Sequence, residues 1–351
     1  MVSNLAIPRP HACEQQQIRL TSPMLHIGSG VSKLNPFEYV QYQDRVYLPD
    51  ADALAKALQQ RGRLQDYIEA IESKREIASI LKQAFGEDWQ NQTAPDGNPI
   101  FPKHLISRKW ANSSISDLRP MIRNGMGEFY IPGSSIKGAI RTAITYHLLK
   151  YPDRYQVVPA RQVSEIELKL RERLKTNLSR KDQTDLDDDR LMNPLFQEFS
   201  LSYQDTAIAA KLGPNTDFLR ALKVSDSEPL SERRVTTRSG QPRIFNLAVV
   251  SKVIVSSHFK NWQSKHRAAI YAEMVRDVNT SFTLSLDTKM LSWFTHQQGM
   301  KIPFKTIAEV IDICQDFAQD QWDAEHDYWQ AVQNNPQAEL DFSTIRDFYE
   351  P

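Results

Sequence analysis

The chain has 351 residues, enough to bury a substantial core in one elaborated domain or two. Its composition, 40% hydrophobic and 25% charged, is that of a soluble globular protein, and no apolar run approaches the roughly 20 residues that span a bilayer. The 43 basic and 43 acidic side chains cancel, which argues against a freestanding, strongly basic nucleic-acid binder; Cys13 and Cys314 are too few for a disulfide framework or a zinc site.

Residues 1–14 read as a loose leader without the pattern of a secretory signal, so a cytoplasmic location is expected. Residues 15–21 set Gln17 and Arg19 against Ile18 and Leu20, the alternation of a half-buried strand. Ser22-Pro23 ends it, and His26-Ile27-Gly28-Ser29-Gly30 is a glycine turn. Its N–H groups and imidazole suit a phosphate or ribose, although an ordinary strand-to-loop turn reads the same way. Residues 37–48 predict a hairpin and residues 49–100 a helical insertion, with one helix from Leu64 to Phe85. There is no phosphate loop of the nucleotide hydrolases.

Residues 118–126, with Arg119 and Arg123, lead into Phe129-Tyr130-Ile131-Pro132-Gly133-Ser134-Ser135-Ile136-Lys137-Gly138-Ala139-Ile140-Arg141. Pro132-Gly133 is turn chemistry, and Ser134 or Ser135 is an expected N-cap. Ile136, Ile140, Ala143, Ile144 and Leu148 make one apolar helical face up to about Lys150, where Tyr151-Pro152 stops it. Lys137 and Arg141, four apart, project together from the first turns. A helix start with free N–H groups, two serines and two cations suits an anion. An ordinary capped helix with solvated cations carries the same letters. On this reading Gly138 admits a close backbone, and Lys137 and Arg141 can both become Ala without harm to the fold.

Residues 161–181 predict a highly charged helix and residues 185–190 an acidic loop. Residues 219–227 predict a strand ending in Ser225-Asp226-Ser227, and residues 242–260 two more strands. Residues 223–260 carry seven cations, Arg233, Arg234 and Arg238 among them, against three carboxylates. Such a patch suits an RNA backbone, and a solvated hairpin equally. The spacing predicts a helix over 262–278, a strand over 281–287 and a long acidic helix over 304–332. From residue 301 onward three cations face eleven carboxylates. A basic front and an acidic end suit a subunit with RNA on one side and protein or solvent on the other.

Three stretches occur in a telling order: Ser22-Pro23 running into Gly28-Ser29-Gly30, the Ile131-to-Arg141 block, and Val224-Ser225-Asp226-Ser227. Together they resemble the RAMP superfamily of type III CRISPR systems, and within it the Csm-type subunit that caps the 3′ end of the guide RNA. The resemblance implies an α+β fold of paired ferredoxin-like halves with helical insertions, divided as 1–160 (holding the insertion) and 161–351. It implies contacts to guide RNA from Gly133, Ser134, Ser135, Lys137, Arg141, His26, Gly28, Gly30, Arg123, Arg233, Arg234 and Arg238, with Ser225 and Asp226 as a structural turn. Implied partners are guide RNA, target RNA indirectly, neighbouring RAMP backbone subunits and a host nuclease that trims the 3′ end. No cofactor, metal or membrane is expected. Gly299 is the only glycine after Gly240, so the family's C-terminal glycine-rich loop is not matched. The cap is expected not to cleave. The alternative is a backbone-type endoribonuclease acting through a loop aspartate, Asp44, Asp117 or Asp226.

Overall fold

The computed structural model describes residues 13–31, 33–111, 114–174, 192–204, 206–208, 211–236, 240–253, 256–258, 261–264 and 270–331. Residues 1–12 of the leader, the 185–190 loop, the end of the 161–181 helix and Arg238 lie outside them, while residues 13 and 14 already belong to the first strand. In chain order the first elements are β1 (Cys13–Leu25), β2 (Val40–Tyr42), β3 (Arg45–Tyr47), α1 (Ala51–Gln60), α2 (Leu64–Glu72), α3 (Ala78–Phe85), β4 (Ile106–Trp110) and β5 (Leu118–Arg119). Then come α4 (Gly133–Lys150), α5 (Pro152–Tyr155), α6 (Val163–Leu174), α7 (Asn193–Gln197), β6 (Phe199–Tyr203), β7 (Thr206–Ala207) and β8 (Leu222–Val224). The rest are β9 (Arg233–Thr236), β10 (Pro242–Phe245), β11 (Leu247–Val253), β12 (Ser256–His258), β13 (Asn261–Ser264), β14 (Ile270–Asp287), α8 (Thr288–Leu291), β15 (Phe294–His296) and α9 (Ile307–Ala331). The fold is mixed α+β.

The chain divides into two compact units that interleave in sequence, so neither is the contiguous 1–160 or 161–351 segment. The first comprises Met1–Ile18, Pro132–Asp226 and Phe282–Asp327. Its β8 pairs antiparallel with the end of β14, Leu222 opposite Leu286 and Val224 opposite Leu284. The α4 face of Ile136, Ile140, Ala143, Ile144 and Leu148 is buried as its spacing dictates. Phe218 anchors an aromatic cluster, stacked on Phe196 at 5.1 Å and edge-on to Phe199 at 5.2 Å.

The second unit comprises Arg19–Ile131, Ser227–Ser281 and Tyr328–Pro351. Its sheet runs β1-β14-β11-β4-β3-β2, with β5 parallel beside β14. β11 is antiparallel to β14 and parallel to β4. Adjacent residues of β3 face opposite ways and fill two cores. Tyr47 packs with Leu54, Leu58, Ile77 and Trp89 under α1–α3, while Val46 packs with Tyr39, Leu118, Val250 and Tyr271.

Two expected helices take other forms. The Leu64–Phe85 helix breaks after Glu72, where Lys74 has φ 52° and the N–H of Arg75 reaches back to Ala70 O. A left-handed residue closing such a bond ends a helix without glycine. The predicted 262–278 helix is strand wherever it is described, in β13 and at the start of β14; residues 265–269 lie outside the described residues. Tyr271, Glu273 and Val275 are buried at odd positions, and Val278, Thr280, Phe282, Leu284 and Leu286 at even ones. The phase changes at Asp277, with φ 49°. One extra residue in a strand flips the alternation, and the resulting 3-and-4 spacing imitates a helix.

Candidate nucleic-acid interface

In the first unit, Gly133 opens α4 directly on the chain leaving β8. A Cβ there would lie 2.5 Å from Val224 O and 2.7 Å from the carbonyl carbon of Ser225, so only glycine fits. Gly138, the residue read as the point of close approach, has nothing within 4 Å of a built Cβ. Pro132 is the N-cap residue, and neither serine caps. The Gly133 N–H instead donates to Asp226 Oδ1 at 2.7 Å. Asp226 is itself held by its neighbour, since the Ser225 hydroxyl donates to Asp226 O at 2.8 Å and accepts from Thr283 N at 2.9 Å. A carboxylate thus occupies the place that the helix dipole offers to an anion. Ser134, Ser135 and Gly138 remain exposed.

The two α4 cations turn inward. Lys137 Nζ donates to Leu222 O at 2.8 Å, and burial pulls its ammonium below the ordinary lysine value. Arg141 pairs with Asp217 at 2.7 Å, donates to Asn193 Oδ1 at 2.9 Å, and lies over the Phe196 ring at 3.8 Å. Both are members of internal networks, so their replacement by Ala is not neutral to the fold.

In the second unit, Glu273 is 0% exposed and accepts from Arg123 Nη2 at 2.9 Å, Ser107 Oγ at 3.2 Å and Met121 N at 3.2 Å. Arg123 also donates to the carbonyls of His104 and Gly127 at 2.9 and 3.0 Å, and stacks on Phe129 at 3.8 Å. His26 Nδ1 sits 2.7 Å from Glu273 O, and Gly28 bridges to Met121. Arg123 and His26 therefore fix this turn in place; Gly28 and Gly30 keep exposed backbone.

The hairpin of β9 and β10 is exposed along all of β9. Arg233 and Arg243 flank the Phe245 ring at 5.7 and 4.8 Å, and Arg234 pairs with Glu232 at 3.4 Å. Beside it opens a cleft of about 460 Å³, with Arg234, Arg45, Lys103 and Arg108 among its walls. Of these four cations only Arg234 is among the RNA contacts expected from the sequence. Arg45 and Arg108 are far apart in sequence, and only the β3–β4 register, which places them directly opposite, brings them together.

Of the loop aspartates, Asp117 pairs with Arg119 at 3.1 Å and Lys33 at 3.6 Å, while the Asp44 side chain is 75% exposed. Among the described residues no group of His, Cys, Asp or Glu could hold a metal ion, and no helix is long and apolar enough to cross a membrane.

The RAMP superfamily pattern matches residues 17–315. The chain belongs to the RAMP superfamily. Curated relatives of this RAMP chain include the CRISPR system Cms protein Csm5 of Enterococcus italicus, 26% identical over 171 residues, 41% of this chain and 48% of that protein. The Csm5 protein of Streptococcus thermophilus is 32% identical over 132 residues, 36% of each chain. The matched stretch thus spans half or less of either relative. Among solved structures, the crystal structure of T. onnurineus Csm5 aligns with TM-score 0.48 and 17% identity, over 95% of this chain and 83% of that one. A chain in the cryo-EM structure of a Csm–crRNA–target RNA ternary complex of a type III-A CRISPR–Cas system aligns with TM-score 0.46 and 20% identity, over 94% and 81%.

Proposed function

We propose that this RAMP chain is a Csm5-type subunit of a type III-A effector complex, which binds the guide-RNA backbone near its 3′ end. The reading rests on one observation: the superfamily match over residues 17–315, with similarity to two proteins described as Csm5. In it the α+β fold is the paired ferredoxin-like arrangement of RAMP proteins, with residues 49–100 inserted. The partners are guide RNA, target RNA through it, the neighbouring RAMP backbone subunits and a host nuclease that trims the exposed 3′ end, all in the cytoplasm. The subunit caps and does not cleave. Exposed Ser134, Ser135, Gly28, Gly30, Arg233 and Arg234 offer donors to a backbone, whereas Lys137, Arg141 and Arg123 support it from within.

The test is purification of the complex with a tagged chain, followed by sizing of its guide RNAs. One copy per complex and uniform mature guides are expected. Removal of the chain should leave guides long or heterogeneous in their 3′ ends. Guides unchanged in its absence would refute the cap role. Asp44→Asn, at a loop aspartate whose side chain is 75% exposed, should leave target cleavage intact; loss of cleavage with assembly preserved would instead make the chain a nuclease.

A further inference from the structure

We propose that the second-unit cleft beside the β9–β10 hairpin is a phosphate-binding site that takes a phosphodiester of single-stranded RNA between Arg45 and Arg108. The inference rests on the RNA-binding part of the reading above and gives it a location.

Arg45 and Arg108 are register partners on antiparallel β3 and β4. Directly opposed residues of such a pair share a face, with Cβ atoms about 4.5–5.5 Å apart, and like charges there repel. Little in the fold offsets this repulsion. The only ion-pair partner of Arg45 among the described residues is its neighbour Asp44, at 4.0 Å and largely in solvent. Neither Arg108 nor Lys103 forms an ion pair among the described residues. Two carboxylates also line the cleft, and only one of them has a cationic partner. Glu232 holds Arg234 at 3.4 Å, and Glu128 accepts from Asn124 at 3.2 Å.

The cleft thus sets four cations, Arg45, Lys103, Arg108 and Arg234, against two carboxylates, a positive excess over an apolar floor of Ile106, Phe129 and Leu230. Apolar walls focus the field of such charges and strengthen their hold on an anion. A phosphate seated between two guanidiniums accepts forked, charge-assisted hydrogen bonds from both. It also converts the cross-strand repulsion into attraction. A volume of about 460 Å³ lies within the range of ligand-binding pockets, and the adjoining exposed Arg233 and Arg234 continue the positive surface along β9. A folded sheet that opposes two arginines with so little counter-charge carries a cost that a ligand can remove, and that cost marks the cleft as a binding site.

The test uses the full chain and two variants, Arg45→Gln with Arg108→Gln, and Arg45→Lys with Arg108→Lys. Binding to a uridylate oligomer is measured as a function of salt, and thermal unfolding is followed with no ligand, with the oligomer and with inorganic phosphate. Without ligand, the glutamine variant should unfold at the same temperature as the parent or higher, because repulsion is relieved. Its affinity for the oligomer should fall at least tenfold, and its salt slope should become shallower by about one for each phosphate it no longer neutralises. The lysine variant should recover part of the affinity, since it keeps the charge and loses the fork. Stabilisation of the parent by the oligomer but not by phosphate identifies an RNA backbone; stabilisation by phosphate alone identifies a free anion and overturns the RNA assignment. A glutamine variant that binds the oligomer as the parent does overturns the cleft while leaving RNA binding in place. One that unfolds at a lower temperature without ligand shows that the pair is structural and overturns the site. A parent that binds no RNA at all overturns the RNA reading itself.

Discussion

Gly133 and Gly138 lie on the same helix in different surroundings. At Gly133 an added methyl group meets the backbone of Val224 and Ser225, which cannot swing aside as a side chain can. Gly133→Ala should therefore destabilise the protein by about 1–3 kcal/mol, the usual cost of overpacking. At Gly138 the methyl group meets open space, so Gly138→Ala should stabilise by about 0.5–1 kcal/mol through lower backbone freedom in the unfolded chain. Urea midpoints of the two variants check both signs; equal shifts would sink the argument. The letters alone placed the close approach at Gly138, because helical spacing says which residues share a face but not which strand crosses it. The same ignorance made Ser134 and Ser135 look like caps, when the cap is the carboxylate of Asp226, brought in from 93 residues away.

The first turns of α4 illustrate what is readable in an element. Its span, its buried face and its end before Pro152 follow from spacing and turn chemistry, as do the β2–β3 hairpin and α9. The direction of Lys137 and Arg141 does not, because either residue is equally at home on a solvated surface. In the fold Arg141 neutralises Asp217, whose other oxygen accepts from Leu219 N at 2.9 Å. Arg141→Ala leaves that carboxylate without its counter-charge and uncovers the Phe196 ring. The loss should be about 3 kcal/mol, the low end for breaking a buried pair, because the Arg141 side chain is still 21% exposed. Asp217→Asn added to Arg141→Ala should cost less than the two single changes summed. A double-mutant cycle in urea measures this, and strict additivity would mean the two side chains are not coupled. In β14 the sequence signal was itself misleading, since the shift at Asp277 writes a helical period into a strand. The cleft cations were illegible for a different reason: no local pattern links Arg45 to Arg108.

For the whole molecule, acid and base side chains are balanced at neutral pH, so the response to acid depends on a few groups whose folded environment differs from water. Two histidines of the first unit are held below their ordinary value of 6.5, in both cases chiefly by burial. His147 sits with Nε2 2.8 Å from the Tyr155 hydroxyl, where Arg154 and Lys150 also disfavour a second charge and Asp316 favours it. His296 accepts the Gln298 N–H on Nδ1 at 3.1 Å, so a second ring proton would face that donor and break the bond; Glu198 only partly offsets the penalty. Between each folded value and 6.5 the unfolded chain binds more protons than the folded one, so stability rises with pH across that window and falls as pH drops from 7 toward 5. The paired carboxylates Asp96 and Asp320, lowered from 3.8 by hydrogen bonds from Lys56 and Lys150, lose their contribution only in stronger acid, so the two regimes separate. Thermal midpoints should therefore decline between pH 7 and 5, before those carboxylates titrate. His296→Asn keeps an acceptor for the Gln298 N–H without a titrating ring, and its midpoint should decline less over the same interval. A variant whose midpoints track the parent at every pH would remove His296 from the account and leave His147 to carry it alone.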